Sequence, residues 1–347
     1  MNNFSEPIQY TFSGTSVQCY FGADFADVYS IHPGQRIICI TDRHVYAAHR
    51  KKFDKENTII IEAGEKYKTQ DTVNKVIRQL IELKADRQAF IIGVGGGVVT
   101  DIAGFAASVY MRGLKFAFVP TTILGMVDAC MGGKNGINAG IYKNLVGVIR
   151  HPEFLLYDYS FLDTLPSSEW INGFAEIIKH ACIRDEEMFS FLESHKIKDF
   201  RSSKELTADI VRKNVDLKYE VVSKDEFETG ERKLLNFGHT IGHAIENTAK
   251  IPHGQAISIG MVLAAGISTL TVMLPESEAD RITALLKKYR LPVRLKFNKQ
   301  KAWTTLQHDK KMAGDSIHLI LLTAIGKGVV HTIHLHKLHS IYKSISL

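Results

Sequence analysis

Residues 89–104 of the chain read AFIIGVGGGVVTDIAG. The first half is a short apolar run, typical of a strand buried on both faces, and glycines join it to a segment that predicts a helix. Backbone N–H groups at such a helix N-terminus can hold a phosphate. The stretch departs from the GxGxxG pattern because Val98 occupies the third glycine position. The glycines therefore predict either a phosphate-binding turn or a simple tight turn.

Outward from this junction, short β-rich runs alternate with helical ones through the first half of the chain. Residues 71–87 (DTVNKVIRQLIELKADR) place apolar side chains at i, i+3, i+4 and i+7, which predicts an amphipathic helix. Strands that alternate with helices indicate a parallel sheet covered on both faces. The predicted strands are 36–42, 58–64, 89–96, 115–122 and 153–158.

Polar residues gather where these predicted strands end. Ligands of open α/β sheets bind at the carboxyl ends of the strands, so this is where a cofactor is expected. The residues are Asp42, Glu65, Lys68, the glycines after the third strand, Thr121 and Thr122.

The β signal fades after residue 165. Pro166, followed by two serines and Glu169, is typical of a helix start, and helical patterns then dominate to about Leu295. Strand-like alternation returns only near the C-terminus. We therefore predict an α/β domain over residues 1–165 and a mainly α-helical domain over residues 166–347.

Composition and charge narrow the class of protein. The chain has 347 residues, of which 45% are hydrophobic and 23% charged, as in an ordinary soluble enzyme. Its net charge of +6 is mild, and no basic run is long enough for a nucleic-acid-binding arm. A small anionic substrate fits this charge as well as a polyanion does.

The cysteines and the N-terminus point to a compartment. The cysteines are scattered and form no CxxC motif, so neither a disulfide framework nor a thiolate zinc site is predicted. We find no leader pattern and no uninterrupted apolar stretch long enough to cross a membrane. A cytoplasmic protein without a membrane or nucleic-acid partner is expected.

Three histidines lie close together in residues 232–255 (RKLLNFGHTIGHAIENTAKIPHGQ). His239 and His243 are four residues apart in a helical pattern, so both project from one face, and His253 follows after a break at Pro252. Neutral imidazoles with a carboxylate are a usual ligand set for Zn²⁺ and related ions. The motif is not HExxH, because Thr240 stands where the glutamate would be. Spacing leaves open which two histidines bind a metal and where the carboxylate comes from.

Basic residues recur beside glycines, amides and apolar residues. Each alone is an ordinary surface residue, but a charge on an apolar face is costly unless it is paired or holds an anion. The residues are Arg112, Lys134, Lys143 and Lys179.

A series of motifs resembles, in order and spacing, the 3-dehydroquinate synthases, which are sugar-phosphate cyclases of the shikimate pathway. The resemblance covers about residues 36–330. It implies an NAD-binding α/β domain, a helical domain with a divalent metal (Zn²⁺ or Co²⁺), and a cytoplasmic homodimer. The motifs are GGGVVTDIAGFAASVYMRG, VPTTILGMVDACMGGKNGIN, YKNLVGV, LPSSEWINGFAEIIKH, DEFETGERKLLNFGHTIGHAIE, PHGQAISIGM and HDKKMAG.

The implied reaction converts 3-deoxy-D-arabino-heptulosonate 7-phosphate to 3-dehydroquinate and phosphate. It combines transient oxidation by NAD, β-elimination of phosphate and an intramolecular aldol closure. Such a lyase regenerates its NAD in every turnover and serves aromatic amino acid biosynthesis.

The resemblance also implies site residues, position by position. The metal ligands are Glu176, His239 and His253, with His243 as a candidate proton handler beside them. The cofactor positions are Asp42, Glu65, Lys68, Gly96, Gly97, Val98, Asp101, Thr121, Thr122, Lys134, Lys143, Phe161 and Thr164. The catalytic and substrate positions are Arg112, Asp128, Lys134, Asn144, Lys179, Lys218, Arg232, Asn236, His243, Lys310 and Lys311.

Three positions depart from the common family pattern. The chain has HGQA where HGEA is usual, GGKNG where GGKTG is usual, and a threonine where a glycine is usual; these residues are Gln255, Asn135 and Thr100. Gln255 removes a carboxylate two residues from a metal ligand, so the orientation of His253 is expected to come from another group.

Other functions share parts of this pattern. A metal-dependent polyol or alcohol dehydrogenase has a similar nucleotide domain and metal site but needs fewer cations, and it releases NADH. Another sugar-phosphate cyclase is the nearest alternative; Lys179, Asn236 and His243 favour the dehydroquinate product. A polyanion-binding protein explains the charge but not the glycines or the histidines.

Overall fold

The computed structural model of the protein describes residues 6–140, 142–307, 312–313 and 315–344. The chain divides into two compact units, which we call unit 1 and unit 2. Unit 1 comprises Met1–Glu169 and Lys204–Glu226, and unit 2 comprises Trp170–Ser203 and Phe227–Leu347. The predicted domain boundary near residue 165 lies close to the first of these divisions. That prediction did not include the return of residues 204–226 to unit 1.

The strands of the described residues are short. They are β1 (Ile8–Phe12), β2 (Thr15–Phe21), β3 (Ile37–Asp42), β4 (Thr58–Ile61), β5 (Phe90–Gly95), β6 (Lys115–Pro120), β7 (Lys134–Ala139), β8 (Tyr142–Ile149), β9 (Phe154–Tyr157), β10 (Met312–Ala313), β11 (Ser316–Ala324) and β12 (Lys327–His334).

Helices fill most of unit 2 and cover the sheet of unit 1. They are α1 (Val28–Ile31), α2 (Arg43–His49), α3 (Gln70–Glu82), α4 (Gly97–Val109), α5 (Ser167–Arg184), α6 (Glu186–Ser194), α7 (Ile197–Ser202), α8 (Lys204–Lys224), α9 (His239–Ala249), α10 (His253–Thr271), α11 (Glu276–Lys288), α12 (Lys299–Gln307) and α13 (Leu335–Ser344).

Unit 1 is built on a sheet of order β1-β2-β9-β6-β5-β3-β4, in which all neighbours except the β1–β2 pair are parallel. The interior strand β5, between β6 and β3, is buried at every position. Phe90, Ile92 and Val94 of that strand pack into one apolar cluster with residues of β3, β6 and β9. The predicted fold class, a parallel-sheet domain followed by a mainly helical one, is confirmed.

Two pairs of strands were not predicted. The hairpin of β1 and β2 extends the sheet at one edge, and β7 and β8 form a separate two-stranded ribbon. β8 carries exposed apolar side chains, including Tyr142 and Leu145, so it lacks the in–out alternation that identifies a half-buried strand. The predicted helix 71–87 is shorter than expected because Lys84 turns the chain with a φ of +52°.

In unit 2, three glycines allow α9 and α10 to approach closely. A Cβ at Gly238 would lie 2.8 Å from the backbone nitrogen of Met261, and one at Gly242 would lie 2.9 Å from the Ile257 side chain. A Cβ at Gly260 would lie 2.9 Å from the Gly242 nitrogen. Real Cβ atoms do not make such contacts, so the backbone spacing of the two helices depends on these residues.

The helix α10 is long and apolar enough to cross a membrane. Within an 18-residue window of this helix, 67% is buried inside the protein. Ile259, Leu263 and Ile267 of α10 belong to an apolar cluster with residues of α9, α12 and β11. Burial of this kind is usual for the core helix of a globular protein.

We expect Gly260→Ala to destabilise the protein by about 1–3 kcal/mol, because the added methyl group must push α9 and α10 apart. Urea unfolding of the full chain measures this change. Gly266→Ala lies in the same helix at a half-buried position and should be neutral or slightly stabilising, since alanine favours a helix over glycine. Equal stability of Gly260→Ala and the wild type would contradict the tight packing.

Candidate functional site

The glycine turn of unit 1 lies at the carboxyl end of β5 and the N-terminus of α4. A Cβ at Gly96 would lie 3.1 Å from the Thr122 side chain, and one at Gly97 would lie 3.1 Å from Ala129. Gly96 is the N-cap of α4 and has no side chain to satisfy the first N–H groups of the helix. Gly97 and Val98 therefore present backbone donors and the positive end of a 13-residue helix to an anion.

Neighbouring strands add polar groups beside this turn. Thr121 and Thr122 directly follow β6; the Thr122 hydroxyl accepts a hydrogen bond from the Gly125 nitrogen at 3.0 Å. The Thr121 hydroxyl is buried and has no hydrogen-bond partner among the described residues. At the end of β3, Asp42 accepts hydrogen bonds from the first turn of α2, at 2.8 Å and 3.1 Å. These groups lie where a nucleotide binds in open α/β sheets.

A buried lysine organises the polar residues beyond the turn. The Lys68 ammonium, 4% exposed, forms an ion pair with Asp101 and donates to the Asn144 side-chain oxygen at 2.5 Å. Burial raises the pKa of Asp101, and the adjacent Lys68 opposes that rise. Asn138 donates to Glu65 at 2.8 Å and accepts from the Asn144 nitrogen at 2.9 Å. The structure thus brings together Glu65, Lys68, Asp101 and Asn144, which were predicted separately.

A second ion pair in unit 1 joins the half-buried Asp128 to the buried Lys218. The Lys218 ammonium lies 2.5 Å from the Asp128 carboxylate and also donates to its backbone carbonyl. Lys218 belongs to α8, which is part of unit 1 although residues 170–203 of unit 2 separate it in sequence from the rest of that unit. Unit 1 therefore contains a buried cation at Lys218, which is 6% exposed.

The other predicted positions of unit 1 are less closely grouped. Lys134 is exposed at the start of β7, and Lys143 is half-buried near the start of β8. Phe161, 1% exposed, is part of the apolar core, and the Thr164 hydroxyl lies 2.7 Å from the His49 ring nitrogen. The cofactor-binding roles of Phe161 and Thr164 remain predictions.

Arg112 lies at a different surface of unit 1. It lines an open depression of about 490 Å³ together with Asp86, Arg87, Gln88 and Met111. Its φ of +68° is uncommon for a residue with a side chain. No other predicted site residue among those described lines this depression.

The histidine cluster in unit 2 surrounds a buried carboxylate. Glu176 on α5 is fully buried, and Lys179, 1% exposed, forms an ion pair with it from the next turn of the same helix. The Nε2 atoms of His239 and His253 lie 3.5 Å and 3.3 Å from the same Glu176 oxygen. A carboxylate with two imidazoles is a set that a divalent ion of the zinc type binds.

The two histidines are held in a matching way. His239 directs Nδ1 to the Phe237 carbonyl oxygen at 3.1 Å, and His253 directs Nδ1 to Glu246 at 3.4 Å. A proton on Nδ1 of each ring, facing its acceptor, would leave the lone pair of Nε2 available to a metal ion beside Glu176. A metal ligand requires this tautomer.

The helix starts position these rings. His239 is the first residue of α9, which follows Gly238 in the left-handed conformation, with a φ of +75°. His253 is the first residue of α10. The backbone nitrogen of the next residue, Gly254, donates a hydrogen bond to the Asn172 side-chain oxygen at 2.5 Å. Asn172 lies one turn before Glu176 on α5, so this bond fixes the register between the carboxylate and His253.

His243 lies one turn after His239, with ring centroids 5.2 Å apart. Its ring is 5.9 Å from that of His253. His243, Glu246 and His253 form a second group whose ligating atoms lie within 4.8 Å of one another, as do those of Glu176, His239 and His253. The geometry of the side chains alone therefore permits either group to bind an ion, with His253 common to both.

The electrostatics of the cluster favour a cation. Burial alone would lower the pKa of His253, but its hydrogen bonds to Glu176 and Glu246 outweigh burial and raise the pKa to about 9. Two carboxylates flank one imidazole, so positive charge in this space is stabilised. The donor set and its charge thus fit a divalent metal.

Two further predicted residues precede the cluster. Arg232 is 2% exposed within the turn Glu231–Asn236, and the Asn236 amide donates to Glu228 at 2.5 Å. Glu228 has a φ of +61° and was not predicted. Lys310 and Lys311 lie outside the described residues.

Sequence reasoning also missed residues that act through others. Asn138 hydrogen-bonds to Glu65, Glu246 to His253, and Asn172 to the backbone of Gly254 beside His253. The contacts of Asn138 and Asn172 span 73 and 82 residues of sequence, whereas Glu246 and His253 are seven residues apart. Of these three residues, only Glu246 could have been suggested by the sequence. It lies one turn after His243 on a predicted helix, among the buried positions of that helix.

Solved structures share the fold over almost the whole chain. 2-Deoxy-scyllo-inosose synthase, in a complex with carbaglucose-6-phosphate, NAD⁺ and Co²⁺, is 27% identical with a TM-score of 0.83, covering 98% of this chain and 100% of that one. 2-epi-5-epi-valiolone synthase from Streptomyces hygroscopicus, with NAD⁺ and Zn²⁺ bound, is 27% identical with a TM-score of 0.81, covering 89% and 90%. An iron-containing alcohol dehydrogenase from Thermotoga maritima has a TM-score of 0.64 at 13% identity, which shows the fold alone. The fold is that of the sugar-phosphate cyclase class.

Sequence comparisons specify the family within that class. Family models described as 3-dehydroquinate synthase N-terminal and C-terminal match residues 58–172 and 173–312. The 3-dehydroquinate synthase of Thermodesulfovibrio yellowstonii is 40% identical over 274 residues, covering 78% of this chain and 76% of that one. The enzyme of Leptospira interrogans is 39% identical over 307 residues, covering 84% of each. The chain belongs to the 3-dehydroquinate synthase family, and the predicted family is confirmed.

Removing the Lys68 ammonium from its ion pair with Asp101 should destabilise the protein. We expect Lys68→Met to lower the free energy of unfolding by about 3 kcal/mol, because the Asp101 carboxylate, only 18% exposed, loses its ion-pair partner. Urea unfolding measures the change. Lys66→Met, at an exposed position two residues away, should have almost no effect. Similar losses for both variants would show that the pair is not the cause.

Metal content should separate the three histidines. His239→Ala or His253→Ala is expected to lower the amount of Co²⁺ or Zn²⁺ that copurifies or binds on titration, because each removes a ring nitrogen that lies within 3.5 Å of the Glu176 oxygen. His243→Ala should keep the metal. Elemental analysis of the dialysed proteins measures this difference. If His243→Ala emptied the site and His253→Ala did not, the assignment would be wrong.

Proposed function

We propose that this chain catalyses the reaction of its family, the conversion of 3-deoxy-D-arabino-heptulosonate 7-phosphate to 3-dehydroquinate and phosphate. The observation that carries the proposal is the buried Glu176 beside two histidines whose Nδ1 atoms each face a hydrogen-bond acceptor, in a chain of this family. A cyclase needs such a set of residues together with a nucleotide-binding turn. The candidate metal ligands in unit 2 and the glycine turn in unit 1 support the proposal.

NAD fits the residues of unit 1. The glycines at 96 and 97 leave space that a Cβ would fill, and the buried Thr121 hydroxyl lacks a partner among the described residues. We propose that the backbone of the α4 N-terminus holds the pyrophosphate and that Asp42 and Thr121 contact the rest of the nucleotide. Lys68, Asp101 and Asn138 would keep the neighbouring loops in place.

A divalent metal fits unit 2, with Glu176, His239 and His253 as its ligands. When bound, NAD would supply reversible acceptance of a hydride, and the metal would supply Lewis-acid polarisation of substrate oxygens. The protein fixes the ligand geometry through Glu246, the Phe237 carbonyl and Asn172.

Other residues of the chain would act on the substrate directly. The substrate carries a carboxylate and a phosphate, so cations in a dry site favour its binding. Lys179 and Arg232 in unit 2, and Lys218 in unit 1, are buried to 6% exposure or less. His243 is half-buried beside the ligand cluster, and we propose that its imidazole moves a proton on the substrate.

A metal-dependent dehydrogenase is the alternative that uses the same fold. It would form one NADH for each substrate, whereas a cyclase returns the hydride within the turnover.

We further propose that the protein acts in the cytoplasm as a homodimer, without a nucleic-acid or membrane partner. Light scattering of the purified chain tests the oligomeric state.

Redox balance tests the cyclase proposal. We expect phosphate to form at a steady rate without accumulation of NADH absorbance at saturating substrate, and a sub-stoichiometric amount of NAD⁺ should support many turnovers. Phosphate release and absorbance are followed in the same cuvette with Co²⁺ or Zn²⁺ present. Release of one NADH per substrate would refute the cyclase and favour the dehydrogenase.

Lys179 provides a second test. We expect Lys179→Ala to lower kcat by about ten- to a hundredfold, since loss of one charge-assisted contact in the transition state costs about 1.5–3 kcal/mol. NAD⁺ affinity should change little, because Lys179 pairs with Glu176 and is not among the residues proposed to hold the nucleotide. Lys198→Ala, at an exposed position of unit 2, is the control. An unchanged rate would remove Lys179 from the proposed site.

A further inference from the structure

His253 is held between two carboxylates, one at each ring nitrogen. Its Nε2 lies 3.3 Å from Glu176, and its Nδ1 lies 3.4 Å from Glu246. Glu246 is on α9, one turn before the end of that helix, and is only 7% exposed. The second carboxylate is therefore a built part of the cluster rather than a mobile surface group.

His239 shows what a group at Nδ1 does in this cluster. Its Nδ1 faces the Phe237 carbonyl oxygen, which can only accept a hydrogen bond and so keeps the proton on Nδ1. Glu246 acts in the same way on His253, with a charged acceptor in place of a backbone carbonyl. An acceptor at Nδ1 leaves the lone pair on Nε2 and raises the basicity of the ligand.

Residue 255 cannot take this role. His253 and Gln255 are two positions apart on α10, which places them about 200° apart around the helix axis. Gln255 lines an open depression of about 690 Å³ together with Lys287, Arg290 and Arg294. A glutamate at this position, usual in the family pattern, would face those cations instead of the His253 ring.

We infer that Glu246 is the positioning residue that orients His253 toward the metal, and that the glutamine at 255 leaves this orientation intact. The inference rests on the metal site of the proposed function. Glu246 acts through His253, so its removal should weaken metal binding without emptying the site. Loss of such a partner lowers metal affinity by about 10- to 100-fold.

The test is titration of the metal-free full chain with Co²⁺, following the visible absorption of the bound ion. Glu246→Gln keeps the shape of the side chain but not its charge, and it should raise the Kd for Co²⁺ by about 10- to 100-fold and alter the absorption bands. Glu246→Asp, which keeps the charge but shortens the side chain, should also weaken binding. Thermal unfolding of the metal-free proteins checks that each variant folds.

Two matched variants complete the experiment. Gln255→Glu should leave the Kd unchanged, and adding it to Glu246→Gln should not restore affinity. Glu193→Gln, which removes a carboxylate of unit 2 paired with Arg281 at 2.7 Å, should have no effect on Co²⁺ binding.

Three results would overturn the inference while leaving the metal site in place. They are an unchanged Kd in both Glu246 variants, rescue of Glu246→Gln by Gln255→Glu, and a loss of Co²⁺ as complete as in Glu176→Gln, which would make Glu246 a ligand. A wild-type protein that binds no Co²⁺ would instead refute the proposed metal site, and the positioning role with it.

Discussion

The ion-pair cluster around Glu176 is the constraint on which the organisation of unit 2 depends. A carboxylate with no exposed surface is costly unless cations or donors surround it. Lys179 comes from the same helix, but His239 and His253 come from the first residues of two other helices. The buried charge is therefore satisfied only when α5, α9 and α10 are all in register, which ties the site to the fold of the unit.

Small residues make that register possible. Gly238, Gly242 and Gly260 bring α9 and α10 to a separation that side chains would prevent, and Asn172 anchors the start of α10 to α5. Interiors are close-packed, so a change of one methyl group at such a contact must move a helix. Movement of a helix start displaces a histidine, and ligand distances tolerate only a few tenths of an ångström.

The sequence predicted much of unit 1 because its strands are buried on both faces and its polar residues follow strand ends. It did not predict β8, whose exposed apolar side chains lack any periodicity, or the return of α8 to unit 1. In unit 2 the histidines were evident from spacing, but Glu176 lies far from them in the sequence, so only the family resemblance identified it. Glu246 lies on the same predicted helix as His243, but its contact with His253, like that of Asn172 with the start of α10, is a tertiary contact that helical spacing does not predict.

The departures from the family pattern lie in the scaffold and not among the ligands. The Thr100 hydroxyl hydrogen-bonds to the Gly97 carbonyl at 3.2 Å, within the first turn of α4. Asn135 donates to the carbonyl oxygens of Gly133 and Arg150, both at 2.8 Å, and so ties the start of β7 to the end of β8. Gln255 faces a basic depression on the other side of α10 from His253. The side chains of Thr100 and Asn135 contact backbone groups, and that of Gln255 lies at the surface. These substitutions therefore affect the elements that position the site. The groups proposed to bind NAD, metal and substrate are retained.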